Sequence, residues 1–266
     1  MCNDTMTAPR APRSLAQEQV ERYHAEGYLI LRGVFRPEEI AALASESQTL
    51  VSRQDLIETA NIRCRWQDHI VTGECMFDCF DPVIDIGPVC RFFARDERIL
   101  SPLRALYNDE AHLFKDKLIW KRPGVQGYAL HQDYIGWKEF PESFITVILA
   151  IDETNAENGA IEVFPGYHQR GSLSPIDGDY HEMPVSLVDE SRGVILDLQP
   201  GDLAFFGGFT PHRSGPNASD RWRRQLYLSY NAGRDGGDRR DSHYRHFHRW
   251  LREKYAEFGK TSVYFR

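Results

Sequence analysis

Residues 201–217 read GDLAFFGGFTPHRSGPN, an apolar run followed by a turn rich in glycine and proline. The run at 203–206 is short and aromatic, which is typical of a buried β-strand. The Gly207-Gly208 pair and Pro211 end that strand, because both residue types interrupt regular pairing. The segment therefore predicts a strand whose following turn presents His212.

The same pattern of short apolar runs and turns occurs on both sides of this segment. Short β-rich runs separated by Gly, Pro, Asn and Asp turns lie at 111–123, 143–154, 159–166, 193–206 and 223–233. Several strands at this spacing are typical of a β-sandwich or barrel. We therefore predict a mainly β fold with flanking helices, and a β core at about 111–232.

Helical patterns flank the predicted core. The segment after Ser14 has a capping residue at its start and Gly27 as its stop, and a short strand precedes a second helix. Residues 55–90 give no clear pattern. We predict a flexible tail at 1–14 and a single domain at 15–266, with helices at 15–50, 95–108 and 241–260.

Composition limits the class of protein. The 266 residues are 41% hydrophobic, which supports a sizeable core, and the formal charge of −7 is spread without long single-sign runs. A nucleic-acid or anionic membrane partner is therefore not expected. No stretch approaches the roughly 18 apolar residues of a spanning helix, and the N-terminus lacks a secretory pattern. We expect a cytoplasmic protein with a small-molecule substrate; no oligomeric state is predicted.

The cysteines predict no metal site. Cys75 and Cys79 have CxxxC spacing without a second pair, so a zinc site is not expected. The chain has five cysteines, which we interpret as reduced thiols: Cys2, Cys64, Cys75, Cys79 and Cys90.

Residues 129–134, ALHQDY, carry a second candidate feature. His131 and Asp133 are two apart, so an extended backbone points both side chains to the same side. An isolated pair of this kind is commonly a surface or capping interaction. With His212, however, it supplies two imidazoles and one carboxylate, a facial set associated with iron(II) enzymes that activate oxygen.

A third feature is a cation after His212. Arg221, Arg223 and Arg224 lie close together, and a buried guanidinium suits a fixed carboxylate because it donates two parallel hydrogen bonds. The distal carboxylate of 2-oxoglutarate needs such a partner. Alternation places Arg223 and Arg224 on opposite faces of the strand without indicating which is interior. A solvated turn is the alternative.

Five fragments in order resemble the phytanoyl-CoA dioxygenase family. They are QVERYHAEGYLILRGVFRPEEI, FKDKLIWKRPG, the HQD at 131–133, NGAIEVFPGYH, and GDLAFFGGFTPHRSGPN with its later arginine. The resemblance implies a double-stranded β-helix of the jelly-roll, cupin-like type. It also implies an iron(II)- and 2-oxoglutarate-dependent dioxygenase that uses O2, oxidises a small metabolite or natural-product intermediate, and releases succinate and CO2. Hydroxylation is the expected oxidation, and desaturation or oxidation to a ketone are the alternatives.

The resemblance also implies site residues. His131, Asp133 and His212 would be the catalytic iron ligands. Arg223, with help from Ser214, would hold 2-oxoglutarate, and Lys117 would line the cosubstrate pocket. Similarity to the ectoine-hydroxylase branch places Trp137 and Tyr134 beside the substrate, although Trp137 could instead pack in the core. Halogenating relatives lack the carboxylate, so the presence of Asp133 favours hydroxylation.

Three alternative functions are compatible with the sequence. One is a metal-binding cupin of another type, such as an isomerase or a binding protein. Another is an oxygenase fold that senses or scaffolds without turnover, and the third is nucleic-acid demethylation, which the absence of a basic stripe disfavours. Three further histidines are interpreted as a solvated helix face: His243, His246 and His248.

Overall fold

The structure is a computed structural model, and it describes residues 14–58, 60–137 and 140–261. Most of the predicted tail at 1–14 lies outside these ranges. The larger sheet contains β1 (Tyr28–Leu31), β2 (Cys64–Asp68), β3 (Cys75–Phe80), β4 (Ala111–Lys121), β6 (Ile145–Ala150), β9 (Leu203–Gly207) and β11 (Arg223–Ala232). The smaller sheet contains β5 (Tyr128–His131), β7 (Ile161–Val163), β8 (Val194–Ile195) and β10 (His212–Ser214).

Both sheets are antiparallel, with the orders β1-β9-β6-β11-β4-β3-β2 and β5-β10-β7-β8. The helices are α1 (Gln17–Glu26), α2 (Pro37–Val51), α3 (Pro88–Phe93), α4 (Glu97–Tyr107) and α5 (Arg240–Phe258). The predicted mainly β fold with flanking helices is confirmed. None of the described helices is both long and apolar enough to cross a membrane.

The larger sheet extends beyond the predicted core at 111–232. Strands β2 and β3 fall within 55–90, where no pattern was evident, and they pair with each other beside β4. Their apolar alternation is broken because Arg65, Gln67 and Asp78 are all buried. Buried polar residues conceal the period of two on which strand prediction depends.

The two faces of the larger sheet have different partners. Leu118 and Leu226 pack with Leu43 of α2 in the core on the helix side. On the other face, Ile119 and Tyr227 pack against strands of the smaller sheet. Successive residues of a strand therefore alternate between the helix layer and the interior between the sheets.

Helix α5 corrects the prediction of a solvated histidine face. His243 is only 5% exposed, and its ring stacks on Phe247 at an angle of 13°. Positions 243, 247, 250 and 251 follow helical spacing, so His243 belongs to the apolar stripe. Burial lowers the pKa of His243 well below its usual value, so the ring is neutral. His246 is exposed, as predicted.

We expect Phe247→Ala to lower the free energy of unfolding by about 3–5 kcal/mol, the usual cost of emptying a buried aromatic site. Phe247 is fully buried, whereas Phe92 is 62% exposed on α3. Phe92→Ala is therefore the matched control, with an expected change within about 0.5 kcal/mol. Urea unfolding of both variants measures the difference, and equal stabilities would contradict the packing of α5.

Candidate metal and cosubstrate site

The antiparallel pairing of β5 and β10 brings two distant histidines together. His131 and His212 are direct partners in the register, with ring centroids 4.1 Å apart. Asp133 follows β5, and its Oδ1 lies 3.8 Å from His131 Nε2 and 3.9 Å from His212 Nε2. The three ligand atoms all lie within 4.8 Å of one another. This is the convergence that the sequence predicts.

Backbone carbonyls orient both imidazoles. His131 Nδ1 lies 2.7 Å from the Ala129 carbonyl oxygen, and His212 Nδ1 lies 3.0 Å from that of Thr210. A carbonyl only accepts, so each Nδ1 carries the proton and donates it. Each Nε2 then keeps its lone pair for a metal, as is usual for metal-binding histidines.

The ionisation states suit a divalent cation. Burial, with a further contribution from His212, lowers the pKa of His131 to about 3, and burial also lowers the pKa of His212. Burial alone would raise the pKa of Asp133, but the neighbouring His212 and His131, together with the cations Lys117 and Lys115, outweigh it and the pKa is lowered. At neutral pH the set is two neutral imidazoles and one carboxylate, the forms that bind metal.

This donor set fits iron(II). Two nitrogens and one carboxylate leave coordination positions open, unlike the four protein ligands of a structural zinc site. Within the described ranges it is the only cluster of three or more metal-ligating side chains. Cys75 and Cys79 do not belong to it.

The larger sheet faces the triad with a row of polar side chains. Thr146 and Lys115 are the partners of Ser229 on the two neighbouring strands. Thr146 Oγ1 lies 3.1 Å from Ser229 Oγ and donates to Asp133 Oδ2 at 3.4 Å. The triad therefore lies opposite this row, and Lys115 ends the row.

Arg223 lies further along the same face of β11. It is 3% exposed and lines the pocket that also contains the triad. Its Nη1 donates to the Gly159 carbonyl oxygen at 2.8 Å, and its buried Nε has no hydrogen-bond partner. The adjacent Arg224 points to the helix side and pairs with Asp152 at 2.8 Å. The structure thus places Arg223, and not Arg224, in the interior.

The turn at Gly159 organises this end of the pocket. Its carbonyl also accepts from Lys121 Nζ at 3.3 Å, and Lys121 donates to Ser214 Oγ at 3.1 Å. Gly159 has φ +73°, and a Cβ there would lie 2.5 Å from the Gly215 carbonyl oxygen, so the turn requires glycine. Burial, reinforced by Arg223, lowers the pKa of Lys121 well below its usual value.

Sequence reasoning missed Lys121, although Lys115, Lys117 and Lys121 all share one face by alternation. Lys117 lines the pocket at the level of Tyr227, with its Nζ 5.0 Å from the ring centroid. Four residues separate Lys117 from Lys121 (121 − 117), or roughly 13 Å of strand. Lys117 therefore lies closer to the triad than to Arg223.

The predicted substrate contacts lie in an aromatic cluster beside the triad. Trp137 Nε1 donates to the Gly178 carbonyl oxygen at 2.6 Å, and its ring contacts α5. Tyr134 packs on Phe209 at 4.6 Å. Neither ring lines the pocket, but Phe144 and Tyr180 of the same cluster do. Sequence reasoning missed those two, because their segments carry no recognisable motif.

The opposite end of the pocket contains a second group that sequence reasoning missed. Arg65 comes from β2, Asp81 follows β3, and Lys115 comes from β4. Asp81 Oδ2 lies 3.4 Å from Lys115 Nζ and 3.7 Å from Arg65 Nε. Two of these residues belong to the 55–90 stretch that gave no pattern.

The fold and the converging triad define a class, the jelly-roll oxygenases with non-haem iron. The chain belongs to the phytanoyl-CoA dioxygenase (PhyH) family, whose profile matches residues 23–225. The resemblance identified from the motifs is thereby confirmed. With the triad intact, this protein is an iron(II)- and 2-oxoglutarate-dependent dioxygenase that uses O2.

Three similar proteins illustrate the relationship. A 2-aminoethylphosphonate dioxygenase from an uncultured bacterium, HF130_AEPn_1, is 29% identical over 85% of each chain. A methylphosphonate hydroxylase from Gimesia maris is 39% identical over 53% of this chain and 52% of its own. The structure of EctD from S. alaskensis with 2-oxoglutarate and 5-hydroxyectoine has a TM-score of 0.68 and 21% identity, covering 86% of this chain and 80% of that one.

Proposed function

We propose that this dioxygenase hydroxylates a small organophosphonate. In this proposal His131, Asp133 and His212 bind iron(II), and Arg223 holds the distal carboxylate of 2-oxoglutarate. Bound iron and 2-oxoglutarate supply the oxygen-activating chemistry; the protein positions the reactants and excludes water. The observation that carries the cosubstrate part of the proposal is Arg223, a buried cation in the triad's pocket with no ion-pair partner among the described residues.

Arg223 is a buried cation that forms no ion pair within the described part of the chain. No carboxylate of the described chain lies within ion-pair distance of it, and its Nε makes no hydrogen bond. Burying an uncompensated charge is costly. A ligand carboxylate would remove that cost through two parallel hydrogen bonds. Ser214, held by Lys121 beside this end, would assist. Lys117, predicted to line the cosubstrate pocket, lies nearer the triad and faces the substrate side in this proposal.

Sequence similarity to two relatives supports a phosphonate as the substrate. Both curated relatives described above act on small phosphonates by name. Asp133 occupies the position that a halide would need, which favours hydroxylation over halogenation. Trp137 and Tyr134 would shape the substrate side through the aromatic wall formed by Phe144 and Tyr180.

The cytoplasm is the proposed location. Four cysteines of the described chain are free: Cys64, Cys75, Cys79 and Cys90. Free thiols are typical of a reducing compartment, where disulfides do not persist.

The proposal is tested by measuring succinate with iron(II), 2-oxoglutarate and oxygen present. We expect 2-aminoethylphosphonate or methylphosphonate to stimulate succinate formation, and ectoine to have no effect. Labelled oxygen gas should place one labelled atom in the product, seen by mass spectrometry. Stimulation by ectoine alone would contradict the substrate class. A protein that binds metal but not 2-oxoglutarate would be a cupin of another type.

A further inference from the structure

We propose that the end of the pocket formed by Arg65, Lys115 and Lys117 binds the anionic group of the substrate. This inference rests on the proposed function, in which the Arg223 end holds 2-oxoglutarate. The pocket would then take one anion at each end, with the metal ligands between them.

This end of the pocket carries an excess of positive charge. Arg65 is 2% exposed and Lys115 is 9% exposed, so both cations are withdrawn from water. Among the described residues that line the pocket, the carboxylates are Asp81 and the metal ligand Asp133. Three cations therefore face one carboxylate that is free of a metal, an excess of two charges (3 − 1).

Contacts with neighbouring side chains hold Arg65 and Lys115 in place. The Phe247 ring lies 5.0 Å from Arg65 Cζ and 4.3 Å from Lys115 Nζ, which are cation–π distances. Tyr244 donates to Asp81 Oδ1 at 2.9 Å. Burial would raise the pKa of Asp81, but Lys115, Arg65 and Lys117 outweigh it and lower the pKa to about 2. Asp81 therefore remains an anion that fixes both cations.

The position of these cations relative to the metal ligands suits a substrate. Lys115 ends the row that begins at Thr146, whose hydroxyl donates to Asp133. Ser229 lies between them, six residues from Arg223 (229 − 223), or roughly 20 Å of strand. An anion at Lys115 would be far from the cosubstrate carboxylate and beside the triad. The substrate's carbon chain would then extend towards the metal.

The charge count favours a dianion. Two excess positive charges are neutralised by a phosphonate dianion, whereas a sulfonate of the same shape leaves one unpaired. We therefore expect selection of a phosphonate over its sulfonate analogue.

The test compares 2-aminoethylphosphonate with 2-aminoethanesulfonate. Calorimetry is performed without oxygen on protein loaded with iron(II) and 2-oxoglutarate, at a pH where the phosphonate is a dianion. Wild type should bind the phosphonate more tightly. Lys115→Met should raise the phosphonate Kd about tenfold or more and reduce the preference over sulfonate. Lys115→Arg should restore most of the affinity.

Two controls separate a binding role from a structural one. Lys254→Met removes a lysine that pairs with Asp179 outside the pocket, and it should leave both Kd values unchanged. The 2-oxoglutarate Kd should also be unchanged in Lys115→Met, which shows that this variant is folded.

Three results would overturn the inference. The first is wild-type phosphonate affinity in Lys115→Met. The second is the absence of phosphonate binding to wild type that still binds iron and 2-oxoglutarate, and the dioxygenase assignment would survive that result. The third is failure of wild type to bind 2-oxoglutarate, which would overturn the proposed function as well.

Discussion

Asp133→Ala should lose iron and with it all coupled product formation. Asp133 Oδ1 lies almost equally far from the two Nε2 atoms, so its removal leaves two neutral imidazoles with no anionic ligand. Loss of groups that only support metal ligands costs about 10–100-fold in metal affinity, and a ligand itself should matter at least as much. Metal analysis after desalting measures the effect.

Asp177→Ala is the matched control, because Asp177 is an exposed carboxylate that pairs with His181 outside the cluster. It should retain iron as wild type does. Stoichiometric iron in Asp133→Ala would show that the triad is not the metal site.

In wild type, the product should be oxygenated even in high chloride, and a chlorinated product would contradict the role of the carboxylate.

Arg223→Met should abolish 2-oxoglutarate binding while iron binding persists. Removing one side of a buried charged pair costs roughly 3–5 kcal/mol, which corresponds to a Kd increase of two orders of magnitude or more. Methionine fills similar space without charge, so the loss reports on the guanidinium. Calorimetry with 2-oxoglutarate, together with metal analysis of the same sample, measures both quantities.

Arg224→Met provides the control from the next position on the strand. Arg224 faces the helix layer, where Asp152 accepts from it, so its loss should lower stability and leave 2-oxoglutarate affinity intact. The opposite pattern, with affinity lost in Arg224→Met and kept in Arg223→Met, would place the cosubstrate elsewhere.

The sequence by itself predicted the β fold, the ligand set and the family. The HxD spacing was sufficient to place His131 and Asp133 on one side of the chain, because residues two apart on a strand share a side whatever the tertiary structure. The turn that follows the strand at 203–206 was sufficient to predict that His212 lies at a strand end. These features depend on local backbone geometry and on motif order, and a single chain displays both.

The tertiary structure decided which face of each element is buried. Alternation separates Arg223 from Arg224, but only the packing of Leu226 against the helices shows that Arg223 lies in the interior. The same holds for His243, whose ring is buried because α5 turns that stripe towards Phe114. The cationic end of the pocket was the feature least predictable from the sequence. Arg65, Asp81 and Lys115 come from separate strands and turns, and only sheet pairing brings their charges together.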